Sequence, residues 1–277
     1  MGRSDGTLVR DLGPLRRMLP SLIPRRNDSV VLYEQELDLS NTLPWLEARE
    51  PALTLYELMI AALVRVWSER PQLNRFTAGG KLYQRNEIAF SISVKKSLDE
   101  NAPLTSIKAV FEPKDTIDDT RRRVEDLIER GKDHNLETES EKEMRFVTKL
   151  PIFLIRWLVR LQRIFDWYGW LPRFMTRNDP LYSSAYVVNL GSVGLDAAYH
   201  HLYEYGHIPF FIVIGRVKKG PVVTESGELA VHDLVKVRYS FDERITDGFY
   251  TSTALERFRE YIENPSLLEV LEGHEPP

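Results

Sequence analysis

The segment at 209–217 constrains the fold more than any other part of the sequence. It reads PFFIVIGRV, and its apolar side chains occupy successive positions. Because neighbouring side chains of a strand point to opposite faces of a sheet, a strand built from this segment is apolar on both faces. The segment therefore predicts a central strand.

Weaker patterns place helices and further strands around this one. Thr54 and Glu57 have the spacing of a capping box, which predicts a helix that is stopped by Pro71. Strands and helices alternate loosely along the chain, which predicts a mixed α/β sandwich rather than a regular doubly wound sheet. The other predicted elements are strands at 30–39, 106–111, 185–190 and 234–241, two strands at 81–83 and 87–95 that pair with each other around a turn at 85–86, and helices at 115–131 and 247–263.

Composition narrows the classes of function. None of the 277 residues is cysteine, which excludes disulfides, thiolate metal sites and thiol nucleophiles and fits a cytoplasmic location. The net charge of -4 gives no general attraction to nucleic acid. No linker or repeat divides the chain, so we predict a single domain at 25–277. Residues 1–24, with Pro14, Pro20 and Pro24, are predicted to form a loosely ordered N-terminal arm.

One apolar segment has more than one interpretation. Residues 150–174 are rich in aromatic and aliphatic side chains, but Arg156, Arg160 and Arg163 interrupt them, so no stretch is long enough to span a bilayer. The arginines recur every three to four positions and form one face of a predicted helix. This helix packs on the domain, lines an acyl-binding site, or makes a peripheral contact with a membrane surface, and the sequence leaves all three open.

Three motifs, taken in order and spacing, connect the chain to a known family. Residues 240–248 read SFDERITDG and precede a predicted helix and the sequence ENPSLL. Residues 188–194 read VNLGSVG, and residues 70–75 read RPQLNR. These motifs resemble the patterns D-H-R-x-x-D-G, S-N-L-G-x-x-G and P-x-L-N of the 2-oxo acid dehydrogenase acyltransferase (dihydrolipoyl acyltransferase) catalytic-domain family, which is chloramphenicol acetyltransferase-like.

The resemblance implies a fold, an activity and a set of partners. The implied fold is a chloramphenicol acetyltransferase-like mixed-sheet sandwich, flanked by helices, in a single domain that forms a homotrimer. In the family the active site lies in a channel between subunits, where a histidine removes a proton from a nucleophile that attacks a thioester. Coenzyme A or acyl-CoA is the expected cosubstrate and a small molecule the acceptor, with no tightly bound cofactor.

Glu243 stands where the family has its catalytic histidine, while Arg244, Asp247 and Gly248 match the family pattern. A glutamate with a reference pKa of about 4.3 is a weak base at neutral pH, although burial in an apolar channel raises that pKa. Glu243 is therefore a candidate general base. Alternatively it is a structural carboxylate paired with an arginine in a chain that has lost catalysis, or a different residue is the base.

Asp247 has two compatible roles. By the resemblance it helps to hold the site through an arginine, and Arg25 or Arg26 is the candidate partner. An aspartate followed by glycine is also a common helix start, so Asp247 is equally a candidate N-cap of the last helix.

The hydroxyl group with which the family stabilises an oxyanion has no direct counterpart. In the family pattern T-x-S-N-L-G, Tyr186 takes the first hydroxyl position, Val188 takes the second, and Asn189 matches the asparagine. A tyrosine donates a hydrogen bond, but from a longer side chain. Ser183 and Ser184 are the nearby alternatives.

Three of the six histidines lie at 200–207, shortly after this motif. In the family this neighbourhood approaches the substrate channel, so His200 or His201 is a candidate for the missing imidazole. The alternatives are a structural histidine cluster and a metal site. The residues that such a metal site would use are His200, His201, Glu204 and His207.

These motifs lead to competing hypotheses of function. The first is a CoA-dependent acyltransferase that moves an acyl group between a thioester and a small acceptor, with Glu243 as the base. The alternative is a catalytically inactive trimeric binding or scaffold protein that retains the fold. A third is a membrane-associated acyl-handling protein that uses residues 150–174.

Overall fold

Two β-sheets and the helices that pack on them form an α/β domain in a computed structural model, which describes residues 3–95, 104–132, 145, 147–224 and 226–272. The larger sheet has six strands in the order β2-β9-β8-β7-β5-β6, and the smaller has three in the order β1-β4-β3. The strands are β1 (Gly6–Leu8), β2 (Val30–Asp38), β3 (Arg75–Ala78), β4 (Lys81–Arg85), β5 (Ile88–Lys95), β6 (Leu104–Phe111), β7 (Ala185–Asn189), β8 (Phe210–Val223) and β9 (Leu229–Asp242). The α-helices are α1 (Pro14–Leu22), α2 (Thr42–Ala48), α3 (Leu55–Glu69), α4 (Ile117–Lys132), α5 (Ile152–Tyr168), α6 (Arg173–Arg177), α7 (Gly248–Glu263) and α8 (Ser266–Glu272).

The strand predicted to be central, β8, lies inside the larger sheet between β9 and β7. β8 pairs antiparallel with β9 and parallel with β7, and β7 pairs parallel with β5. The sheet is therefore mixed, as the sequence predicts. All five side chains from Phe210 to Ile214 are buried, which is what a strand covered on both faces requires.

One face of the larger sheet carries the main hydrophobic core. Helix α3, which packs there, begins at the predicted capping box: the Thr54 hydroxyl accepts a hydrogen bond from the Glu57 amide, and the Glu57 carboxylate accepts one from the Thr54 amide. Trp67 of α3 meets Phe90 of β5 and Phe210 of β8 edge-on, with ring centroids 5.6 Å and 5.1 Å away. These contacts fix α3 across the middle of the sheet.

The opposite face of the larger sheet is covered by the loop between β7 and β8. Leu202 and Ile208 of this loop are fully buried against Tyr186 and Phe211 of the sheet. The loop also carries the histidines at 200, 201 and 207. The sheet therefore has a helical face that stabilises the fold and a loop-covered face that carries the candidate site residues.

The predicted pairing of 81–83 with 87–95 is wrong. β4 pairs with β3 and β1 in the smaller sheet, whereas β5 pairs with β6 and β7 in the larger one. Gly79 and Gly80 join β3 to β4 with φ values of 56° and 69°, which a tight hairpin turn needs and which glycine adopts without strain. The turn at Asn86 instead carries the chain from one sheet to the other.

The prediction of a loosely ordered arm at 1–24 is also wrong for the residues that the structure describes. β1 pairs with β4, and α1 starts at Pro14, where the first helical turn does not need the amide hydrogen that proline lacks. Arg3 is only 8% exposed. Prolines suggested looseness in the sequence, but two of them lie in α1 and long-range contacts fix the start of the chain.

Residues 152–168 form the predicted helix, but the helix is not buried as a core helix would be. None of the residues of α5 is buried, and Ile152, Phe153 and Trp157 are all more than half exposed. Among the helices that the structure describes, none is long and apolar enough to cross a membrane.

Candidate active site

The turn that follows β9 is built around a buried ion pair. Asp242 is 0% exposed and Arg244 is 2% exposed. The guanidinium of Arg244 donates two hydrogen bonds to the Asp242 carboxylate, from Nε to Oδ1 at 2.7 Å and from Nη2 to Oδ2 at 2.6 Å. A bidentate pair of this kind fixes both side chains in one relative orientation.

Further hydrogen bonds tie this ion pair to neighbouring segments. The Ser29 hydroxyl donates to Asp242 Oδ1 at 2.9 Å. Nη1 of Arg244 donates to the carbonyl oxygens of Ile23 and Pro24, at 2.8 Å and 3.1 Å. Each charge is thus satisfied without water, and the turn is held to the segment that connects α1 to β2.

Glu243 lies between these two buried residues but points outwards. Its backbone amide donates to the carbonyl of Ser29 at 3.0 Å, and its own carbonyl accepts from Arg16 Nη1 at 3.0 Å. The side chain is exposed, and its carboxylate forms no hydrogen bond or ion pair with any residue in the described ranges. The structure therefore holds the Glu243 backbone firmly and leaves its carboxylate available.

Asp247 is the N-cap of α7, as one of its two predicted roles requires. Its carboxylate accepts a hydrogen bond from the Tyr250 amide at 2.8 Å. Neither Arg25 nor Arg26 pairs with it, so the predicted ionic partnership is wrong. Arg25 is exposed, whereas Arg26 is buried and donates to the Thr77 carbonyl at 3.0 Å. Burial lowers the pKa of Arg26, and the nearby Asp242 charge opposes that shift.

Gly248 and Asn189 serve the backbone locally. Gly248 is the first residue of α7, and a methyl group at its Cα would meet nothing within 4 Å. The Asn189 side chain accepts a hydrogen bond from the Ser192 amide at 3.1 Å and so closes the turn after β7. Both residues therefore have a local structural role, Gly248 at the start of α7 and Asn189 in the turn after β7, and neither role requires contact with a substrate.

The hydroxyl group of Tyr186 is already engaged inside the protein. Tyr186 is 6% exposed, and its hydroxyl forms hydrogen bonds with Ser93, at 2.7 Å, and with Ser106. The neighbouring alternatives Ser183 and Ser184 are fully buried, and both form hydrogen bonds around the start of β7. These three predicted hydroxyls therefore have internal partners.

Ser240 is a hydroxyl that the sequence analysis missed. It lies on β9 two residues before Asp242, so both side chains point to the same face of the sheet. In register it stands between Leu32 of β2 and Phe211 of β8, and Phe211 in turn pairs with Tyr186. Its Oγ is buried and has no hydrogen-bond partner among the described residues. The sequence does contain a signal for Ser240: side chains two residues apart on a strand share a face, so the predicted strand that leads to Asp242 places Ser240 beside it.

His200 and His201 stack on the same face of the sheet. The His200 ring lies 4.1 Å from the Phe211 ring and nearly parallel to it, and His201 stacks on the other histidine at 4.4 Å. Phe211 also stacks on Tyr186 at 4.8 Å. The structure thus brings three of the predicted site residues into one aromatic stack, although no hydrogen bond or ion pair joins this stack to Glu243 within the described ranges.

His207 belongs to a separate buried network. Its Nε2 lies 2.9 Å from the Asp166 carboxylate, its Nδ1 lies 3.2 Å from Asp5, and Arg3 pairs with both aspartates. Burial works against the ionisation of Asp5 and Asp166, but pairing with His207 and Arg3 outweighs it and lowers the pKa of both carboxyls. This network connects the start of the chain, α5 and the β7–β8 loop, which lie far apart in sequence.

The alternative metal site is not formed by the residues proposed for it. His200 is stacked on aromatic rings, His207 is paired with aspartates, and the Glu204 carboxylate accepts a hydrogen bond from the Asn27 amide at 3.2 Å. In the part of the chain that the structure describes, no group of three or more histidine, aspartate and glutamate side chains is placed to hold a metal ion.

A pocket opens behind the turn that follows β9. Its empty volume is about 670 Å³ including the mouth, and both Arg26 and Arg244 line it. The turn at Gly79 and helix α5 also line it. A methyl group on Gly79 would lie 2.2 Å from the Trp167 carbonyl oxygen, so only glycine fits there. The other lining residues are Pro20, Pro24, Thr77, Ala78, Gly80, Arg163, Asp166, Trp167, Tyr182, Glu204, Tyr205 and Gly206.

Comparison with known proteins confirms the predicted family resemblance. Residues 176–270, which include the aromatic stack, the turn after β9 and α7, match the sequence model of the family described as 2-oxoacid dehydrogenases acyltransferase (catalytic domain). No curated protein sequence matches the chain.

Solved structures with low sequence identity to this chain share its fold. A probable dihydrolipoamide acetyltransferase from Listeria monocytogenes superposes with a TM-score of 0.60 at 17% identity, covering 93% of this chain and 95% of that one. The cubic core of a pyruvate dehydrogenase multienzyme complex gives a TM-score of 0.61 at 11% identity and 94% coverage of both chains. A chloramphenicol acetyltransferase gives 0.56 at 9% identity, covering 93% of this chain and 99% of that one. The domain therefore has the chloramphenicol acetyltransferase-like fold.

Proposed function

We propose that this protein is a CoA-dependent acyltransferase that transfers an acyl group between a thioester and a small acceptor, with Glu243 as the general base. The family match and the shared fold support acyl transfer in general. The CoA thioester, the acceptor and the role of Glu243 are our proposal.

The observation that carries this proposal is the geometry of the turn after β9. The residues on both sides of Glu243 are buried: Asp242, Arg244, Ile245 and Thr246 are each at most 2% exposed. The Glu243 side chain, by contrast, is exposed and directs its carboxylate outwards. A carboxylate kept only for structure would be expected to pair with the arginines around it. Arg16 instead donates to the Glu243 backbone carbonyl and leaves the carboxylate unpaired.

The chemistry follows from an available carboxylate. Glu243 accepts the proton of an acceptor hydroxyl or thiol as that atom bonds to the thioester carbonyl carbon. The carbonyl π electrons move to oxygen to give a tetrahedral oxyanion. When the oxyanion collapses, the carbon–sulfur bond breaks and the coenzyme A thiolate takes the proton back from Glu243.

A second copy of the chain is part of this proposal. Glu243 is exposed in the single chain, and a carboxylate surrounded by water is a weak general base at neutral pH. An apolar surface that covered it would exclude water and strengthen it as a base. Leu32 of β2 and Phe249 of α7 are large apolar side chains, 53% and 80% exposed, and they offer a surface that a neighbouring subunit in a homotrimer would cover.

The test is an acyl-transfer assay with a matched pair of variants. The protein is incubated with acetyl-CoA or longer acyl-CoAs, with and without small alcohols as acceptors, and thiol release is measured. We expect Glu243→Gln to lower acceptor-dependent release by about 10²-fold or more. Because Glu243 is exposed and unpaired, this variant should fold normally, and Glu228→Gln, at an exposed glutamate of the β8–β9 hairpin, serves as the control.

Two outcomes would contradict the proposal. If Glu243→Gln releases thiol as fast as the unmodified protein, the carboxylate is not the base. If no acyl-CoA is turned over and none binds by calorimetry, the protein is neither this acyltransferase nor an acyl-CoA scaffold.

One observation favours the alternative of a catalytically inactive trimeric binding or scaffold protein. Val188 offers no hydroxyl at the second position of the family pattern, and the Tyr186 hydroxyl is engaged by Ser93 and Ser106. Acyl-CoA binding by calorimetry without turnover would support this alternative. Turnover that falls in Ser240→Ala would oppose it and would identify Ser240 as a hydroxyl that the reaction needs.

A further inference from the structure

Helix α5 exposes more apolar surface than a helix of a globular domain normally does. Its 17 residues include none that is buried. Phe153 is 72% exposed, and Trp157, Trp167 and Tyr168 are each more than 55% exposed. A contiguous exposed surface of large apolar side chains marks an interaction site rather than ordinary surface composition.

Polar contacts fix the orientation of α5 on the domain. Gln162 donates a hydrogen bond to the Tyr205 hydroxyl, and Asp166 pairs with Arg3 and His207. Because Gln162 and Asp166 are four residues apart, they lie on one side of the helix, and this side faces the domain. Gln162 and Asp166, which are partly buried, therefore hold one side of α5 against the domain, and the rest of the helix surface faces solvent.

The solvent side of α5 is divided into two stripes along the helix axis. The spacing of Phe153, Trp157, Ile164 and Tyr168, at intervals of four, seven and four residues, places them in one apolar stripe. The spacing of Arg156, Arg160 and Arg163 places them in a second stripe beside it. The apolar stripe continues past the helix end into exposed Trp170, which stacks on Tyr168 at 4.8 Å.

The charge of this surface is opposite to the charge of the whole chain. The chain carries a net charge of -4, yet α5 has three exposed arginines, of which Arg163 also lines the mouth of the pocket behind the turn, and its only acid, Asp166, is held in the buried network. None of the three arginines forms an ion pair with a described residue. On α4, by contrast, Arg122 pairs with Asp119 and Arg130 with Asp126.

We propose that α5 is a membrane-docking helix that lies in the surface of a bilayer containing anionic phospholipids. The apolar stripe would enter the boundary between headgroups and acyl chains, where tryptophan and tyrosine rings are favoured, and the arginine stripe would face the lipid phosphates. A protein partner would need acidic groups placed along the arginine stripe, whereas an anionic bilayer supplies negative charge along the whole helix. The inference does not depend on the proposed acyltransferase activity.

The primary test is binding of the full chain to vesicles. Vesicles of phosphatidylcholine alone are compared with vesicles that also contain phosphatidylglycerol, by cosedimentation and by quenching of tryptophan fluorescence with brominated lipids. We expect binding and quenching only with phosphatidylglycerol present, and a decrease in binding as salt screens the arginines.

Two sets of variants separate the contributions of the stripes. Arg156→Gln, Arg160→Gln and Arg163→Gln together should weaken binding on the order of a hundredfold, from about fivefold for each arginine. The control replaces three exposed bases of α4, with the changes Arg122→Gln, Arg130→Gln and Lys132→Gln, and should leave binding unchanged.

The apolar stripe is tested at two exposed positions, so folding should not be affected. Phe153→Ser with Trp157→Ser should abolish binding and quenching. The control is Leu229→Ser with Val231→Ser, at positions of the β8–β9 hairpin that are 79% and 68% exposed. Equal loss in both double variants would show that exposed apolar area in general, and not α5, causes the binding.

Three results would overturn the proposal. The first is no binding to phosphatidylglycerol vesicles at low salt. The second is equal binding by the arginine triple variant and the unmodified protein. The third is a homo-oligomer that dissociates, by light scattering, when Phe153 and Trp157 are replaced, which would show that a second copy of the chain covers this stripe.

Discussion

Removal of the buried carboxylate of Asp242 should destabilise the protein far more than removal of an exposed one. In Asp242→Ala, the guanidinium of Arg244 stays 2% exposed but loses its bidentate partner. Breaking a buried ion pair from one side leaves an uncompensated charge and costs about 3–5 kcal/mol. The Ser29 hydroxyl also loses its acceptor. We therefore expect the free energy of unfolding to fall by about 4 kcal/mol, a large part of the 5–15 kcal/mol typical of a domain.

Urea denaturation at neutral pH, followed by far-UV circular dichroism, measures this change. The control is Asp126→Ala, because Asp126 pairs with Arg130 on the surface of α4, where both side chains are more than half exposed. Such an i, i+4 pair contributes less than about 0.5 kcal/mol. The two variants remove the same type of group, so the expected difference reflects the burial of Asp242 and the further hydrogen bonds that it accepts.

The double variant Asp242→Leu with Arg244→Met tests the physical reasoning. Since no unpaired charge then remains, it should be more stable than Asp242→Ala. In the double-mutant cycle whose single variants are Asp242→Leu and Arg244→Met, we expect a coupling energy of about 2 kcal/mol or more. If the effects of the two single variants simply add, or if Asp242→Ala costs no more than Asp126→Ala, the uncompensated charge is not what fixes this turn.

Three further predictions concern other ionisable groups. The pairing of Asp166 with His207 and Arg3 overcomes burial and lowers the pKa of its carboxyl, so its stabilisation is present above the unfolded pKa of about 3.9 and is lost as the pH falls further. Asp166→Asn should lower the free energy of unfolding by about 1.5–3 kcal/mol at pH 7, and the deficit should shrink in denaturation series below about pH 4; a constant deficit would contradict this. Burial lowers the pKa of Lys108 to about 8, so NMR of the ¹³C-methylated protein should show one lysine signal that titrates near that pH and is missing in Lys108→Met; no such signal would refute the shift. Asp247→Ala should cost about 1 kcal/mol by urea denaturation because α7 loses its N-cap, and Asp247→Ser should recover most of it; equal losses would rule out capping.

Local patterns were enough to predict most elements and one of the site roles. The capping box at Thr54 and the N-cap at Asp247 depend on residues within one helical turn, so their spacing alone predicts them. The apolar segment at 209–217 predicted the interior position of β8 because a strand covered on both faces cannot lie at the edge of a sheet. The motif at 240–248 located the turn that presents Glu243.

Strand pairing and charge pairing were less predictable. β4 and β5 are neighbours in sequence with alternating patterns, and nothing local shows that they enter different sheets. Asp242 pairs with Arg244, two residues away, although Asp247 was the expected acidic partner of an arginine. Motif matching identified the charged residues but not their partners, because each partner is decided by which side chains the folded chain buries together.

The sequence by itself determined the fold class, the identity of the turn after β9 and the replacement of a histidine by Glu243. These depend on residue types and on spacing along the chain, which the sequence contains completely. Only the tertiary structure decided that the Glu243 carboxylate is unpaired, that the Tyr186 hydroxyl is occupied, and that α5 leaves its apolar stripe in solvent. The physical reason is that the exposure of a side chain and its hydrogen-bond partners depend on packing between segments that are distant in sequence. Residue type and local spacing do not specify that packing.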